Sequence, residues 1–278
     1  MKKIVLLSFL FFSAFTVAQT KEKVKGSKIV KAEQKKVGNF ESIEVEDNLE
    51  IFLVKGNESA IEIEADDNLI EWVEYKLIGS NLRISTLKDL SGFKKLSVRV
   101  TYTDRFNMVI SKDETSVTAL ADVVLDDITF KSFGRSKLYL NANTKNFILM
   151  ANDKSKVELN LKSLKAAVDL SKNATIKALV SSSEMKLDLY QKSSAQIEGD
   201  VIDFKLRLDN STVFEGKKLT VKNALIEAGG YSKSDVNVSN IVTINAGGNS
   251  EIELYGEPKV DLKSFKESAI LKKKPFKL

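Results

Sequence analysis

A six-residue phrase occurs twice within residues 221–256 (VKNALIEAGGYSKSDVNVSNIVTINAGGNSEIELYG): Leu225-Ile226-Glu227-Ala228-Gly229-Gly230 and Thr243-Ile244-Asn245-Ala246-Gly247-Gly248. Each copy runs into a short polar turn, a serine and a second alternating run. Repetition at so short a period constrains the chain more than any single residue. A unit this small cannot bury its own apolar face, so neighbouring units must stack.

Followed backwards, the unit is an alternating strand, a turn rich in Asn, Asp, Gly and Ser, a small anchor residue and a second alternating strand. Ser116, Ser136, Ser155, Ala174, Ala195, Ser211, Ser234, Ser250 and Ser268 serve as anchors, at intervals of 16 to 23 residues with a mean of 19. After the anchors, Leu138 and Leu140, Val157 and Leu159, Val236 and Val238, and Ile252 and Leu254 share one face. Tyr139, Glu158, Asn237 and Glu253 share the other, because side chains alternate along a strand. Before the anchors, Ile128 and Phe130, Phe147 and Leu149, Leu187 and Leu189, Leu206 and Leu208, and Val242 and Ile244 repeat the pattern.

These features predict an all-β fold, a parallel β-helix or β-solenoid with coils of about 19 residues, each strand pairing with its equivalent one period later at a spacing of about 4.8 Å. Serine and asparagine at equivalent corners would then lie above one another, within reach of hydrogen bonding. Gly229, Gly230, Gly247 and Gly248 suit corners that need positive φ or close backbone approach. Residues 161–173 (LKSLKAAVDLSKN) look like a leucine-rich repeat in isolation, but the other units lack its convex segment. A propeller would need blades about twice as long with their own signals, and Trp72 is the lone tryptophan.

Residues 1–19 (MKKIVLLSFLFFSAFTVAQ) have a charged start at Lys2 and Lys3, an apolar centre and a small-residue cleavage region. They are expected to be a secretory signal peptide, and the apolar run is too short for a membrane span of roughly 20 residues. No transmembrane segment is therefore expected, and the protein is placed outside the cytoplasm, in the periplasm, at the cell surface or beyond it. The net charge of +5 falls to +3 when Lys2 and Lys3 leave, and lysines and acids are evenly mixed. Nucleic-acid binding is not expected from so weak a balance.

Residues 20–38 (TKEKVKGSKIVKAEQKKVG) are lysine-rich and weakly patterned, and are expected to form an extended arm that is partly disordered. Residues 39–270 form a single elongated solenoid domain, in which 39–105 are an N-terminal strand block and 106–270 the repeat coils. Within the block, residues 66–73 suggest a short helical turn capped by an aspartate, with Leu69, Trp72 and Val73 inward. Residues 75–84 suggest a hairpin with Gly79-Ser80-Asn81 at its tip. Residues 271–278 (LKKKPFKL) are a basic tail at the open end, where lysines blunt edge-to-edge pairing.

The chain has no histidine and no cysteine. Ser-His-Asp and Cys-His nucleophile arrangements and imidazole or thiolate metal sites are thereby excluded. No catalytic, cofactor-binding or metal-ligating residue is assigned, and no cofactor is expected. The adjacent acids Asp66 and Asp67, Asp113 and Glu114, and Asp126 and Asp127 would point to opposite faces of a strand, which makes each a poor joint site. Around Gly229-Gly230 and Gly247-Gly248 the third glycine of calcium-binding β-rolls is missing. Tyr139, Tyr190 and Tyr231 fall at outward or corner positions, where flat rings can stack on sugars or anchor a protein partner.

The order Phe40-x-x-Ile43-x-Val45, Leu49-x-Ile51-x-Leu53-x-x-Gly56, Ile61-x-Ile63-x-Ala65-Asp66-x-Asn68-Leu69 and Leu77-Ile78-Gly79-x-x-Leu82-x-Ile84, followed by the IEAGG and INAGG repeats, resembles the DUF2807 family over roughly residues 38–258. That family is also called the putative auto-transporter adhesin, head GIN domain, and is common in secreted proteins of Bacteroidetes. The resemblance implies a right-handed β-helix akin to pectin lyases without their catalytic residues, and a role in adhesion. The Gly-Ile-Asn phrase of the family has only the variants Thr243-Ile244-Asn245 and Leu225-Ile226-Glu227, so no binding residue is carried over. The reading is thus a non-catalytic exported adhesin whose partner is a polysaccharide or a cell-surface protein, with self-association through the solenoid ends as a further interaction. The alternative is a β-helical polysaccharide lyase or hydrolase using clustered carboxylates.

Overall fold

The computed structural model describes residues 21–275. The fold is a β-solenoid of about nine turns with coils of about 19 residues. Five consecutive long strands, Lys137–Ala151, Lys156–Leu170, Thr175–Leu189, Ser194–Leu208 and Val213–Ala228, form its middle. Each pairs in parallel with the next, and over the first four the register advances by 19 residues, as in Leu138↔Val157↔Ile176↔Ala195. Alternation breaks once inside each strand, at Lys145, Leu164 and their equivalents, where two outward residues follow one another. The strand bends there and the coil acquires two faces, called here the first face (before the bend) and the second face (after it).

Between the second face and the next first face the chain turns through one left-handed residue. Asp113, Gly134, Asp153, Lys172, Gln191, Asn210, Gly230, Gly248 and Glu267 hold this place with φ between 56° and 71°. From Gly134 onward the N–H after each such residue donates to the carbonyl of the left-handed residue one coil below, as from Lys154 to Gly134 (2.8 Å), Asn173 to Asp153 (2.8 Å) and Asn249 to Gly230 (2.7 Å). The turns are therefore a hydrogen-bonded column of their own, which satisfies backbone groups that a corner would otherwise leave unpaired.

Small buried residues close these turns: Thr115, Ser136, Ser155, Ala174, Ser193, Thr212, Ser232 and Ser250. The anchors Ser136, Ser155, Ala174 and Ser250 lie where the sequence places them; Ser116, Ser211, Ser234 and Ala195 stand one or two residues from the true corner. Several corner hydroxyls bond within their own turn, Ser136 to the Phe133 carbonyl (2.8 Å), Ser155 to Asn152 (2.6 Å) and Ser193 to Tyr190 (2.9 Å). Ladders between coils form elsewhere, as between Asn160 and Asn141 (2.9 Å) and between Ser163 and Ser182 (3.1 Å).

The core lies between the two faces and is filled by the inward positions of every strand, with Phe130 against Phe147 (5.8 Å between ring centres) and Phe204 against Phe214 (5.6 Å). At the head, Tyr102 stacks on Phe106 at 4.8 Å, and burial pushes its phenol pKa up to about 12, with the Asp104 charge adding to it.

The two ends differ. Strands Ser42–Val45 and Glu50–Lys55 lie in the first coils, after which residues 60–102 fold back over the head. There Ala60–Asp66 pairs antiparallel with Leu96–Tyr102, and Val73–Ile78 antiparallel with Asn81–Thr86. The lysine-rich segment supplies Lys23–Lys25, parallel to Asp89–Ser91, and Val30–Lys36, antiparallel to Ala60–Asp66, so it is hydrogen-bonded sheet, not a loose arm. A 3-10 turn, Ile70–Trp72, occupies the expected helical turn but has no side-chain cap. Asp66 instead lies buried beneath it and accepts backbone N–H groups of Lys28 (2.8 Å), Lys94 (3.0 Å) and Lys95 (3.1 Å). Burial alone would raise its pKa, yet these donors outweigh it and hold the carboxyl below its usual range. At the tail, Lys259–Phe265 and Ile270–Lys273 make the last coil. The first residues of the basic tail thus belong to a strand; residues 276–278 and the signal-like segment 1–19 lie outside the described residues.

Candidate functional site

The structure scatters the acids that sequence singles out. Asp66 ties the head together, and Asp67 binds Ser27 (2.6 Å) and Lys31 (3.4 Å). Asp113 is a left-handed turn residue that accepts the Asp47 N–H (3.2 Å), while Glu114 pairs with Arg135 (3.2 Å). Asp126 pairs with Lys145 (2.8 Å) and Asp127 with Asn146 (2.7 Å). The three tyrosines also stay apart: Tyr139 is on the first face, whereas Tyr190 and Tyr231 sit in turns two coils from each other. Among the described residues, no group of three or more acids is gathered to hold a metal ion.

Open grooves run along the stack on both faces and at the bend. On the second face a groove of about 790 Å³ has exposed Ile148 and half-buried Ala167 among its lining. Its polar groups satisfy one another up the ladder: Asn146 with Asp127, Lys165 with Glu184 (3.2 Å), Asn223 with Asp203 (2.8 Å) and Lys205 with Glu227 (3.6 Å).

The first face carries a groove of about 640 Å³, which crosses five coils from Thr118 to Glu198. One column of its wall is Thr118, Tyr139, Glu158, Lys177 and Gln196, and the next is Asn141, Asn160, Leu179 and Glu198, each in register with the coil above. Strand alternation puts them outward, since Leu138, Leu140, Val157 and Leu159 occupy the core between them. Among the described residues, Tyr139, Glu158, Lys177 and Gln196 have no side-chain hydrogen bond or ion pair, in contrast to the second face. A concave strip with one column of unengaged donors and acceptors, one exposed ring and exposed Leu179 is able to bind a polar chain, while in the next column Asn141 and Asn160 bond each other and Glu198 pairs with Lys218 (3.0 Å). Sequence reading found Tyr139 and Glu158 on the wet face but missed Lys177 and Gln196. Their common signal is the 19-residue step, visible once the turns are placed correctly.

A third cluster lies at the end of the second face. Asp169 and Asp188 are stacked in adjacent coils, and Asp188, 6% exposed, bonds Lys186 at 2.5 Å. Burial, and then the Asp188 charge, raise the Asp169 pKa; the hydrogen bond to Asp188 raises that of Lys186. Arg207 lies 5.5 Å over the Tyr190 ring and closes the cluster from the next coil. Asp188 takes its charge partner, Lys186, from its own strand, and neither acid lines a groove wall.

A solenoid of short coils with a folded-back head defines a class of protein already known from solved structures. A putative adhesin of Parabacteroides distasonis is 15% identical, with a TM-score of 0.60 over 90% of this chain and 100% of its own. A putative lipid binding protein of the same organism is 14% identical with a TM-score of 0.61 (91% and 100%), and a putative adhesin of Parabacteroides merdae is 16% identical with 0.59 (91% and 98%). At these identities the likeness is one of fold. No curated protein matches the chain. Residues 39–258 match the family described as putative auto-transporter adhesin, head GIN domain, DUF2807, and the chain belongs to that family. Among the described residues no helix is long and apolar enough to cross a membrane.

Proposed function

We propose that the protein is an exported, non-catalytic adhesin that holds a linear extracellular or envelope glycan along the first-face groove. The carrying observation is the column Tyr139, Glu158, Lys177 and Gln196, whose polar groups face a groove without partners of their own. Coils rise by about 4.8 Å, comparable with the length of one sugar ring, so successive sugars meet one wall position per coil. Tyr139 offers a ring face for stacking, and Asn141 and Asn160, locked to each other at 2.9 Å, offer an ordered amide pair. Export is supported by the charged and apolar start of the chain, and adhesion by the family.

The test is incubation of residues 20–278 with a panel of bacterial and host polysaccharides, assaying retention and new chain ends. Retention without cleavage, lost in Tyr139→Ala, is expected. Retention that survives Tyr139→Ala and Lys177→Ala together would move the site elsewhere; new chain ends would replace adhesion by the lyase or hydrolase reading.

A further inference from the structure

We propose that the glycan is acidic, a chain with a carboxylate or sulfate on each sugar or every second one, held by a strip of lysines where the turns meet the first face. This rests on the reading of the first-face groove as a glycan site. Lys137 and Lys156 are stacked in adjacent coils. They stand two residues before Tyr139 and Glu158 and so share the outward face of that column. Lys154 and Lys192 follow the left-handed residues of their turns, two coils apart in the same hydrogen-bonded column, and Lys177 is in the groove wall itself. All of these lysines are exposed. Among the described residues, none has a side-chain hydrogen bond or ion pair. Other lysines of the stack take an acid from the adjacent coil, as Lys145 takes Asp126 (2.8 Å), Lys165 takes Glu184 (3.2 Å) and Lys218 takes Glu198 (3.0 Å).

Like charges directly opposed in neighbouring strands destabilise the pair, and an anion bound across Lys137 and Lys156 would offset that cost. The acids nearby set the limits of the strip. Glu114 is taken by Arg135 (3.2 Å) and Asp153 by Lys172 (2.6 Å), while Glu158 stands inside the strip. Beyond it, Asp209 occupies the next turn, and Glu215 and Asp235 continue the column after Gln196. This pattern selects the ligand. Lysines one or two coils apart repeat at about 5–10 Å, which suits one charge per sugar or per pair of sugars. Duplex nucleic acid carries one charge per about 1.7 Å of its axis, and Glu158, Asp209 and Glu215 would repel it along its length.

The test compares binding of residues 20–278 to polygalacturonate, hyaluronate and chondroitin sulfate with binding to dextran and to methyl-esterified polygalacturonate, whose carboxylates are masked. An acidic chain should bind about tenfold or more tighter than the neutral ones. Its binding should fall as salt rises from about 0.1 M to about 1 M, where the Debye length shrinks from about 10 Å to about 3 Å. Lys137→Glu with Lys156→Glu should weaken it by about tenfold or more. Lys222→Glu, at an exposed lysine of the bend, should leave it unchanged. None of these positions is in the core, so circular dichroism should not change. Neutral chains that bind as well as acidic ones, or acidic binding indifferent to the lysine pair, would overturn the inference; loss of that same binding in Tyr139→Ala would leave the groove reading standing. Acidic binding that needs the lysines but survives Tyr139→Ala would support the acidic ligand and overturn the groove reading instead. Preference for a double-stranded DNA fragment over every acidic glycan, or no binding to any chain, would also overturn the inference.

Discussion

The adjacent glycines Gly247 and Gly248 should respond in opposite ways to one added methyl group. Gly248 has φ +66°, and a Cβ there would lie 2.7 Å from the Gly230 carbonyl oxygen and 2.8 Å from its nitrogen. Gly247 lies outside the left-handed region, and its Cβ would meet nothing closer than a Glu267 carboxylate oxygen at 3.9 Å. The left-handed region costs a residue with a Cβ about 1–2 kcal/mol. Alanine in a permissive site gains about 0.4–1 kcal/mol by restricting the unfolded chain. The steric contact adds to the first figure, but moderately, because Asp153, Lys172, Gln191 and Asn210 carry a Cβ in the same column. The gain from restricting the unfolded chain is common to both variants and cancels between them, so Gly248→Ala should be less stable than Gly247→Ala by about 1–2 kcal/mol or somewhat more. At about 2–4 °C per kcal/mol for a domain of this size, the melting temperatures should differ by at least about 2 °C. The pair Gly229→Ala and Gly230→Ala, one coil away, should show the same order. Equal melting temperatures within either pair would refute the stacked left-handed turn as the corner of this fold.

Lys172→Gly relieves a left-handed lysine (φ 59°) and should leave stability unchanged or raised in thermal unfolding, where Lys172→Ala gives no such relief. Leu187→Ala, at a fully buried central position, should cost about 2–5 kcal/mol in urea unfolding, and Leu262→Ala in the open last coil well under half of that. Asp169 has a folded pKa above its ordinary 3.8, so folding favours its protonated form. That contribution is complete below pH 3.8 and is lost as pH rises through the folded value. Asp169→Asn should accordingly be more stable than the parent at neutral pH, with the difference closing in acid; a gain that is the same at all pH would contradict the assignment.

Much of the coil could be read from the chain because strands announce their inward residues by alternation. Ile128 and Phe130, Leu187 and Leu189, and Val242 and Ile244 are all buried, as expected. Corners were harder for a local reason. Thr115 precedes Ser116, Ser193 stands before Ser194 and Ala195, and Ser211 before Thr212, so several small residues compete for one buried place. Only backbone geometry decides among them, and a shift of one or two residues turned coils of even length into apparent intervals of 16 to 23. The lysine-rich segment 20–38 hid its strands because its partners, Asp89–Ser91 and Ala60–Asp66, use its backbone and leave most of its side chains wet, only Val24 and Val37 packing against the core. The Asp66 knot was equally invisible, since the N–H groups it accepts come from Lys28, Lys94 and Lys95, far apart in sequence. In the groove, Tyr139 could be recognised alone, but Lys177 and Gln196 acquire meaning only from stacking.

The claim that the solenoid measures a glycan along its axis is tested most directly by calorimetric titration with an oligosaccharide length series from whichever polysaccharide is retained. The account predicts affinity that rises with each added sugar and levels off once the five coils from Thr118 to Glu198 are spanned. It also predicts that Lys177→Ala, one coil from the centre, weakens long oligosaccharides more than short ones. A monosaccharide that binds as tightly as the longest oligosaccharide would contradict it.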